Sequence, residues 1–374
     1  MKVIFTCGGT GGHINPALAV ARLLRERKPE CEILFVGGQN GMECDLVPKA
    51  GFRLETLDPA SFSRSLSPKG ICHNVAGAYK NLRALSKARG ILRRFQPDVI
   101  LGTGGFASFP ILREGTRLGI PTCVHESNAV PGLTTRMVAD KVNKILVSFP
   151  ESRSQYKHPE RVEAVGMPVD QAFLYTSREE ARQRLGLDEK PLVISAWGSL
   201  GAREMNKVIA GFMKLEQGQG RFHHIHATGS FGWKWMPRYV ADQGVDLANC
   251  PDIEMREYIY NMPELMAAAD IVIGRAGAST LNEIAVSGTP CIIVPSPNVT
   301  DNHQEKNARI LADRGAAQVI RESECTPQML YDQVCALLDN PARCRAMRRA
   351  LLDMAVVDSA ERIYAAMLAL TKKK

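Results

Sequence analysis

The stretch VIFTCGGTGGHINP, Val3–Pro16, runs an apolar strand-length segment into four glycines and a histidine, and then into a helix-like segment read as about Pro16 to Arg27. Glycines after a strand let backbone amides approach a ligand closely, and the amides that open the next helix attract negative charge. The same grammar recurs three times, as DVILGTGGFAS (Asp98–Ser108), LVISAWGSLGA (Leu192–Ala202) and DIVIGRAGAST (Asp270–Thr280). Between these, ILFVG, PTCVH, KILVS, FHHIHATG and PCIIVPSP supply further apolar runs that alternate with helix-like stretches. That alternation is the mark of βαβ units around a parallel sheet.

The rhythm pauses at VEAVGMPVD, Val162–Asp170, where Gly166 and Pro168 break it, and then resumes. With 374 residues the chain exceeds one comfortable core. The reading is therefore α/β, with two Rossmann-like domains whose parallel sheets face an interdomain cleft. The first domain is placed at 1–166 and the second at 167–353. A last helix from about Met354 to Leu370 ends in a basic tail.

Composition narrows the function. The chain is 45% hydrophobic and 23% charged, ordinary for a globular protein, with a formal net charge of +8 that favours an anionic partner. Ten cysteines lie scattered without a C-x-x-C pair or a Cys/His group at metal-ligand spacing, which reads as thiols in a reducing compartment. The opening MKVIFTC is too short for a signal peptide, and no window reaches the roughly 18 to 20 apolar residues of a membrane span. No metal site and no cofactor are expected.

Two familiar phosphate motifs are absent. His13 stands where a phosphate-loop lysine would be, and Ile14 stands where the third glycine of a dinucleotide fingerprint would be. No acidic residue closes ILFVGGQN to hold a ribose, so a nicotinamide cofactor is not expected in the first half. His13, at a strand's carboxyl end among glycines, is a candidate general base, because an imidazole titrates near neutrality.

In GRAGASTLNE, Ser279 or Thr280 can cap the following helix. Glu283 has two readings, a capping box or a carboxylate that accepts the two hydroxyls of a ribose. The loop PSPNVTDNHQEKNA gathers Asp301, Asn302, His303, Gln304 and Asn307, a set suited either to a sugar's hydroxyls or to a polar surface. From Ala60 to Pro97 there is no Asp or Glu, while Arg64, Lys69, Lys80, Arg83, Lys87, Arg89, Arg93 and Arg94 accumulate. Ile71, Val75, Ala78, Leu82 and Leu85 make one helical stripe there, either core or a surface that enters a membrane interface. No aromatic interleaving marks a nucleic-acid partner.

GGTGGHINP, GMECDLVP, GTGGFAS, HESNAVPG, WGSLGA, GRAGASTLNE and PSPNVTDNHQEKNA occur in this order from Lys2 to about Arg362. Together they resemble the MurG family of bacterial cell-wall glycosyltransferases. The resemblance implies a GT-B fold and inverting transfer of N-acetylglucosamine from UDP-GlcNAc to lipid I, the undecaprenyl-linked muramoyl-pentapeptide. It implies that Thr10, Gly11, Gly12, Gly104, Gly105 and Asn128 hold the acceptor, with His13 as base. On the donor side it implies Ser199, Ser279 and Thr280 at the diphosphate, Ile259 at uracil, Glu283 at the ribose, and His303 and Gln304 at the sugar. It further implies that the last helix crosses back to the first domain, and that the protein sits peripherally on the anionic cytoplasmic face of the inner membrane, with cell-wall synthesis and division proteins as partners. Two departures touch the donor phosphates: Asp170 in GMPVD stands where the family carries arginine, and Leu200 in WGSLGA where it carries glutamine. Rival readings are a GT-B enzyme with another acceptor, a UDP-sugar-binding regulator, and a UDP-sugar 2-epimerase, whose acidic catalytic residues are not found at matching motifs.

Overall fold

The computed structural model describes residues 1–60 and 68–371, and side chains outside 61–76. The chain divides into two compact units, Met1–Val169 with Val356–Lys374, and Asp170–Ala355.

The first unit is built on a seven-stranded sheet in the order β3-β2-β1-β4-β5-β6-β7. Its strands are β1 (Lys2–Thr6), β2 (Glu32–Gly38), β3 (Arg53–Leu57), β4 (Val99–Gly102), β5 (Thr122–Glu126), β6 (Lys144–Val147) and β7 (Val162–Ala164), and every pairing is parallel. Alternate residues of β1 serve opposite faces: Val3 and Phe5 join Ile14, Ala17 and Leu24 in one core, while Ile4 joins Ile91, Leu92 and Ile100 in the other. A strand covered on both faces reads as a continuous apolar run, which is why VIFTC was legible.

The second unit repeats the plan with six strands in the order β10-β9-β8-β11-β12-β13. These are β8 (Leu192–Ala196), β9 (His223–Ala227), β10 (Ile253–Arg256), β11 (Ile271–Gly274), β12 (Cys291–Ile293) and β13 (Gln318–Val319). The strand order reverses between β1 and β4 in the first unit and between β8 and β11 in the second. Ligands of open parallel sheets bind beyond the carboxyl ends at such reversals. The four glycine turns follow those four strands.

Three expectations need correction. The first helix spans Gly11–Arg27 and begins five residues before Pro16, because Thr10 accepts amides from both His13 (3.0 Å) and Ile14 (3.2 Å) and starts the helix inside the glycine turn. The last helix begins at Ser359 and not at Met354, because Met354 ends a separate helix. One helix, Pro341–Met354, closes the second unit, and Ser359–Thr371 returns to bury Ile363, Ala366 and Met367 in the core of the first.

For the described side chains, the core reading of the apolar stripe on the basic helix Pro68–Phe95 fails, and the surface reading stays open. Its buried face carries Ala84, Ala88, Ile91, Leu92 and Phe95, whereas Ala78 is exposed, Leu82 is 66% exposed and Leu85 is intermediate. Small alanines face the core here, and an alanine-rich face is easily underweighted beside one with larger side chains. The side chains of Ile71, Val75 and Lys69, and Arg64 altogether, lie outside the described residues.

Candidate active site

Beyond β1 and β4, two glycine turns are locked together around His13. The ring's Nδ1 lies 3.0 Å from the Thr103 carbonyl oxygen, and the Thr103 hydroxyl donates back to the His13 carbonyl at 2.6 Å. A carbonyl only accepts, so Nδ1 carries a proton, and in the neutral ring the lone pair that a base needs is on Nε2.

The fit requires glycine at two places. At Gly104 (φ +107°) a Cβ would sit 2.7 Å from the His13 Nδ1, and at Gly105 (φ +83°) a Cβ would sit 2.2 Å from the Gly8 carbonyl oxygen. Gly105→Ala is accordingly expected to cost about 2 kcal/mol or more of stability and to displace the turn bearing His13. Urea unfolding read beside turnover tests this, and an unchanged midpoint would contradict the packing described.

Two buried carboxylates, which the sequence reading did not single out, organise these loops. Glu43 accepts the Gly38 amide at 2.6 Å and the Gly9 amide at 3.2 Å, and a Cβ at Gly8, Gly37 or Gly41 would collide with its side chain. Glu126, from HESNAVPG, accepts the Asn128 amide (3.0 Å), the Asn128 side chain (3.3 Å), the Gly132 amide (2.9 Å) and the Thr135 hydroxyl (2.6 Å). Asn128 is thus oriented by Glu126. Thr134 donates to the Gly105 carbonyl at 3.2 Å, tying that loop to the one after β4. Thr10, Gly11, Gly12, His13, Gly104, Gly105 and Asn128 are brought together beyond the carboxyl ends of β1, β4 and β5.

In the second unit, Ser199 lies in the turn after β8, and Gly277 opens the helix Ala278–Ser287 after β11. Ser279 and Thr280 fall in the helix's first turn, where neither caps it; the N-cap is Gly277, with no side-chain cap bond. The capping-box reading of Glu283 fails as well, since Glu283 is the sixth helical residue and a box needs the third.

Glu283 keeps partial solvent contact, yet the surrounding protein pushes its carboxyl up to about 7, through burial first and the negative charge of Asp170 second. Asp170 accepts the Ala172 amide at 2.9 Å and pairs with no cation among the described residues. It therefore acts on Glu283 and is not neutralised. Arg275, inside GRAG, is committed to Glu322 (2.5 Å), the Val294 carbonyl (3.0 Å) and the Trp197 ring (5.5 Å).

The loop after β12 splits its polar residues between structure and display. Gln304 Oε1 accepts the Ser296 amide (2.9 Å) and the Ala276 amide (3.3 Å), while Asn307, fully buried, donates to the Ala276 carbonyl at 3.1 Å. Those bonds hold the loops after β11 and β12 together. Asp301 (φ 55°) and Asn302 (φ 50°) both adopt left-handed backbone, turning the chain so that His303 starts a helix. Beside them opens a cavity of about 600 Å³, lined by Pro295, Pro297, Asn302, Glu305 and Glu322, within the range of small-ligand sites. Ile259 is buried after β10, between the exposed rings of Tyr258 and Tyr260. Among the described residues no group of three His, Cys, Asp or Glu side chains could hold a metal ion.

Two doubly wound parallel units, each with glycine turns at its strand-order reversal, define a glycosyltransferase of the GT-B type. Residues 3–147 match the glycosyltransferase family 28 N-terminal domain and residues 193–363 its C-terminal domain. A relative from Acetivibrio thermocellus, the UDP-N-acetylglucosamine–N-acetylmuramyl-(pentapeptide) pyrophosphoryl-undecaprenol N-acetylglucosamine transferase, is 37% identical over 100% of this chain and 99% of its own. The enzyme of the same name from Lactococcus lactis is 36% identical over 97% of this chain and 98% of its own. The crystal structure of Acinetobacter baumannii MurG superposes with a TM-score of 0.76 at 26% identity, covering 98% of this chain and 99% of that one. The chain belongs to the MurG family of N-acetylglucosamine transferases.

Proposed function

We propose that the chain moves N-acetylglucosamine from UDP-GlcNAc to the C4 hydroxyl of the muramoyl sugar in undecaprenyl-pyrophosphoryl-MurNAc-pentapeptide, with inversion at the anomeric carbon. The observation that carries this is the His13 ring, held by Thr103 in the tautomer of a base amid the loops of the first unit. The names of the full-length relatives supply the two substrates.

In this reading Nε2 of His13 takes the proton of the attacking hydroxyl as the new C–O bond forms and the bond to UDP breaks. Thr10, Gly11, Gly12, Gly104, Gly105 and Asn128 orient the acceptor. Ser199, Ser279, Thr280 and the amides opening the helix Ala278–Ser287 receive the charge that gathers on the diphosphate. Ile259 meets uracil through its backbone, Glu283 accepts the ribose hydroxyls, and His303 and Gln304 meet the hydroxyls of the transferred sugar.

The acceptor's lipid brings the protein to a membrane, and no helix among the described residues is long and apolar enough to cross one. Peripheral docking on an anionic cytoplasmic surface is supported by exposed Tyr79 and Leu82 on the helix that carries Lys80, Arg83 and Lys87, and by exposed Phe106, Leu133 and Met137 elsewhere in the first unit.

Radiolabelled UDP-GlcNAc incubated with a lipid I analogue tests the proposal. Transfer is expected with chelator present at the rate seen without it, because amides and helix termini supply the positive charge. Absence of transfer to that acceptor would sink the reading, and a strict requirement for a divalent ion would sink its account of the leaving group.

A further inference from the structure

In a nucleotide-binding unit of this doubly wound kind, the glycine turn after the first strand offers its amides to phosphate, and an acidic residue closing the second strand holds a ribose. In the first unit one side chain of the chain itself takes both places. Glu43 opens the helix Glu43–Lys49 beyond β2 and is 1% exposed. One of its carboxylate oxygens accepts the Gly38 amide at the end of β2 (2.6 Å), and the other accepts the Gly9 amide in the turn after β1 (3.2 Å).

The seat is shaped to that carboxylate. An added Cβ would lie 2.8 Å from Oε1 at Gly8 and 3.1 Å from it at Gly37 and at Gly38, and one at Gly41 would meet Oε2. Glycines from the turn, from the strand end and from the loop before the helix therefore close on a single carboxyl group. No cation pairs with Glu43 among the described residues. The buried Cys7 thiol is pushed up by its burial first and by the negative charge of Glu43 second. An anion buried without a cation is held here by backbone amides, the groups that otherwise cradle phosphate. The acceptor residues assigned in this turn begin at Thr10, beyond the amide that Glu43 takes.

We infer that Glu43 is a specificity-determining residue, a built-in anion that occupies the phosphate place of the first unit and keeps nucleoside phosphates out of it. Filled volume and like charge both oppose a phosphate there. Nucleotide binding is thereby left to the second unit. The exclusion holds for any phosphate, and only where it names UDP does it rest on the transfer reading.

Glu43→Ala empties the seat and frees the Gly9 and Gly38 amides, so inorganic phosphate should refill it. The full chain is melted against rising phosphate or pyrophosphate. Glu43→Ala is expected to gain a saturable rise in melting temperature about 4 °C or more beyond that of the native protein. Glu43→Gln, which keeps the volume, is expected to follow the native curve. Photolysis of 5-azido-UDP is expected to label the native chain within residues 199–304 alone, and Glu43→Ala within 7–13 or 37–44 as well, with pyrophosphate suppressing the added label. A Glu43→Ala variant that gains no excess stabilisation, or that folds neither with phosphate nor without it, overturns the inference. Rescue by formate and not by phosphate does the same, as does labelling of residues 7–13 or 37–44 in the native protein. Loss of all UDP labelling from the native chain, with phosphate still refilling Glu43→Ala, would sink the donor reading and leave the role of Glu43 standing.

Discussion

Replacing His13 by alanine is expected to lower kcat by about 10²- to 10⁴-fold, the usual span for a positioned general base, while the donor's dissociation constant moves little. The split follows from where the residue sits. His13 belongs to the first unit, and every residue assigned to UDP-GlcNAc belongs to the second. Its Nδ1 proton is spent on Thr103, so the ring is oriented even without substrate. Single-turnover kinetics with donor titration separates the two effects. If turnover survived the substitution within a few-fold, His13 would not be the base. If donor affinity collapsed with it, the proposed division of labour would be wrong.

The second large effect concerns Glu283. Loss of charge-assisted hydrogen bonds to the ribose in Glu283→Ala is expected to weaken donor binding by about 10- to 100-fold, from roughly 1.5 to 3 kcal/mol, with a smaller change in kcat. The carboxyl of the free protein titrates at about 7, and only its ionised form accepts both hydroxyls. Donor affinity should therefore fall as pH drops through 7, approaching a tenfold loss per pH unit on the acid side.

Asp170→Asn removes a charge that raises this carboxyl, so the break should move to lower pH and affinity at pH 6 should improve. Stability runs the other way. A carboxyl that ionises at 4.5 when unfolded and at about 7 when folded destabilises the fold progressively as pH rises through that interval. Glu283→Gln should then melt at a higher temperature than the native protein at pH 8, while binding donor worse. A pH-independent donor affinity, or a Gln variant that melts lower at pH 8, would remove Glu283 from this role.

Much of the fold was legible because central strands of parallel sheets are covered on both faces. VIFTC, DVILG, PLVIS and DIVIG read as unbroken apolar runs and became β1, β4, β8 and β11. The strands that escaped notice, β3, β7, β10 and β13, are the four edges of the two sheets. An edge strand is short or half solvated, so RLETL and IEMR carry no continuous apolar signal. The core reading of the stripe on the basic helix failed for a related reason, since Ala84 and Ala88 meet the core while the larger Leu82 meets water.

The glycine turns and His13 could be found locally, because left-handed or crowded backbone demands glycine wherever it occurs and an imidazole beside such a turn is conspicuous. Glu43 and Glu126 could not. Glu43 stands in GMECDLVP and Glu126 in HESNAVPG, but a buried carboxylate differs from a solvated one only through the donors aimed at it. For Glu43 those come from β2 and from the turn after β1, up to 34 residues away.

Sequence by itself determined the βαβ rhythm, the two-unit plan and the positions where backbone meets ligand, since each depends on side-chain period and local dihedral freedom. Tertiary structure alone decided which nitrogen of His13 carries the proton, that Asp170 acts on Glu283, and that Gln304 and Asn307 brace loops. Those outcomes depend on distances between residues remote in the chain, and no local pattern encodes such a distance.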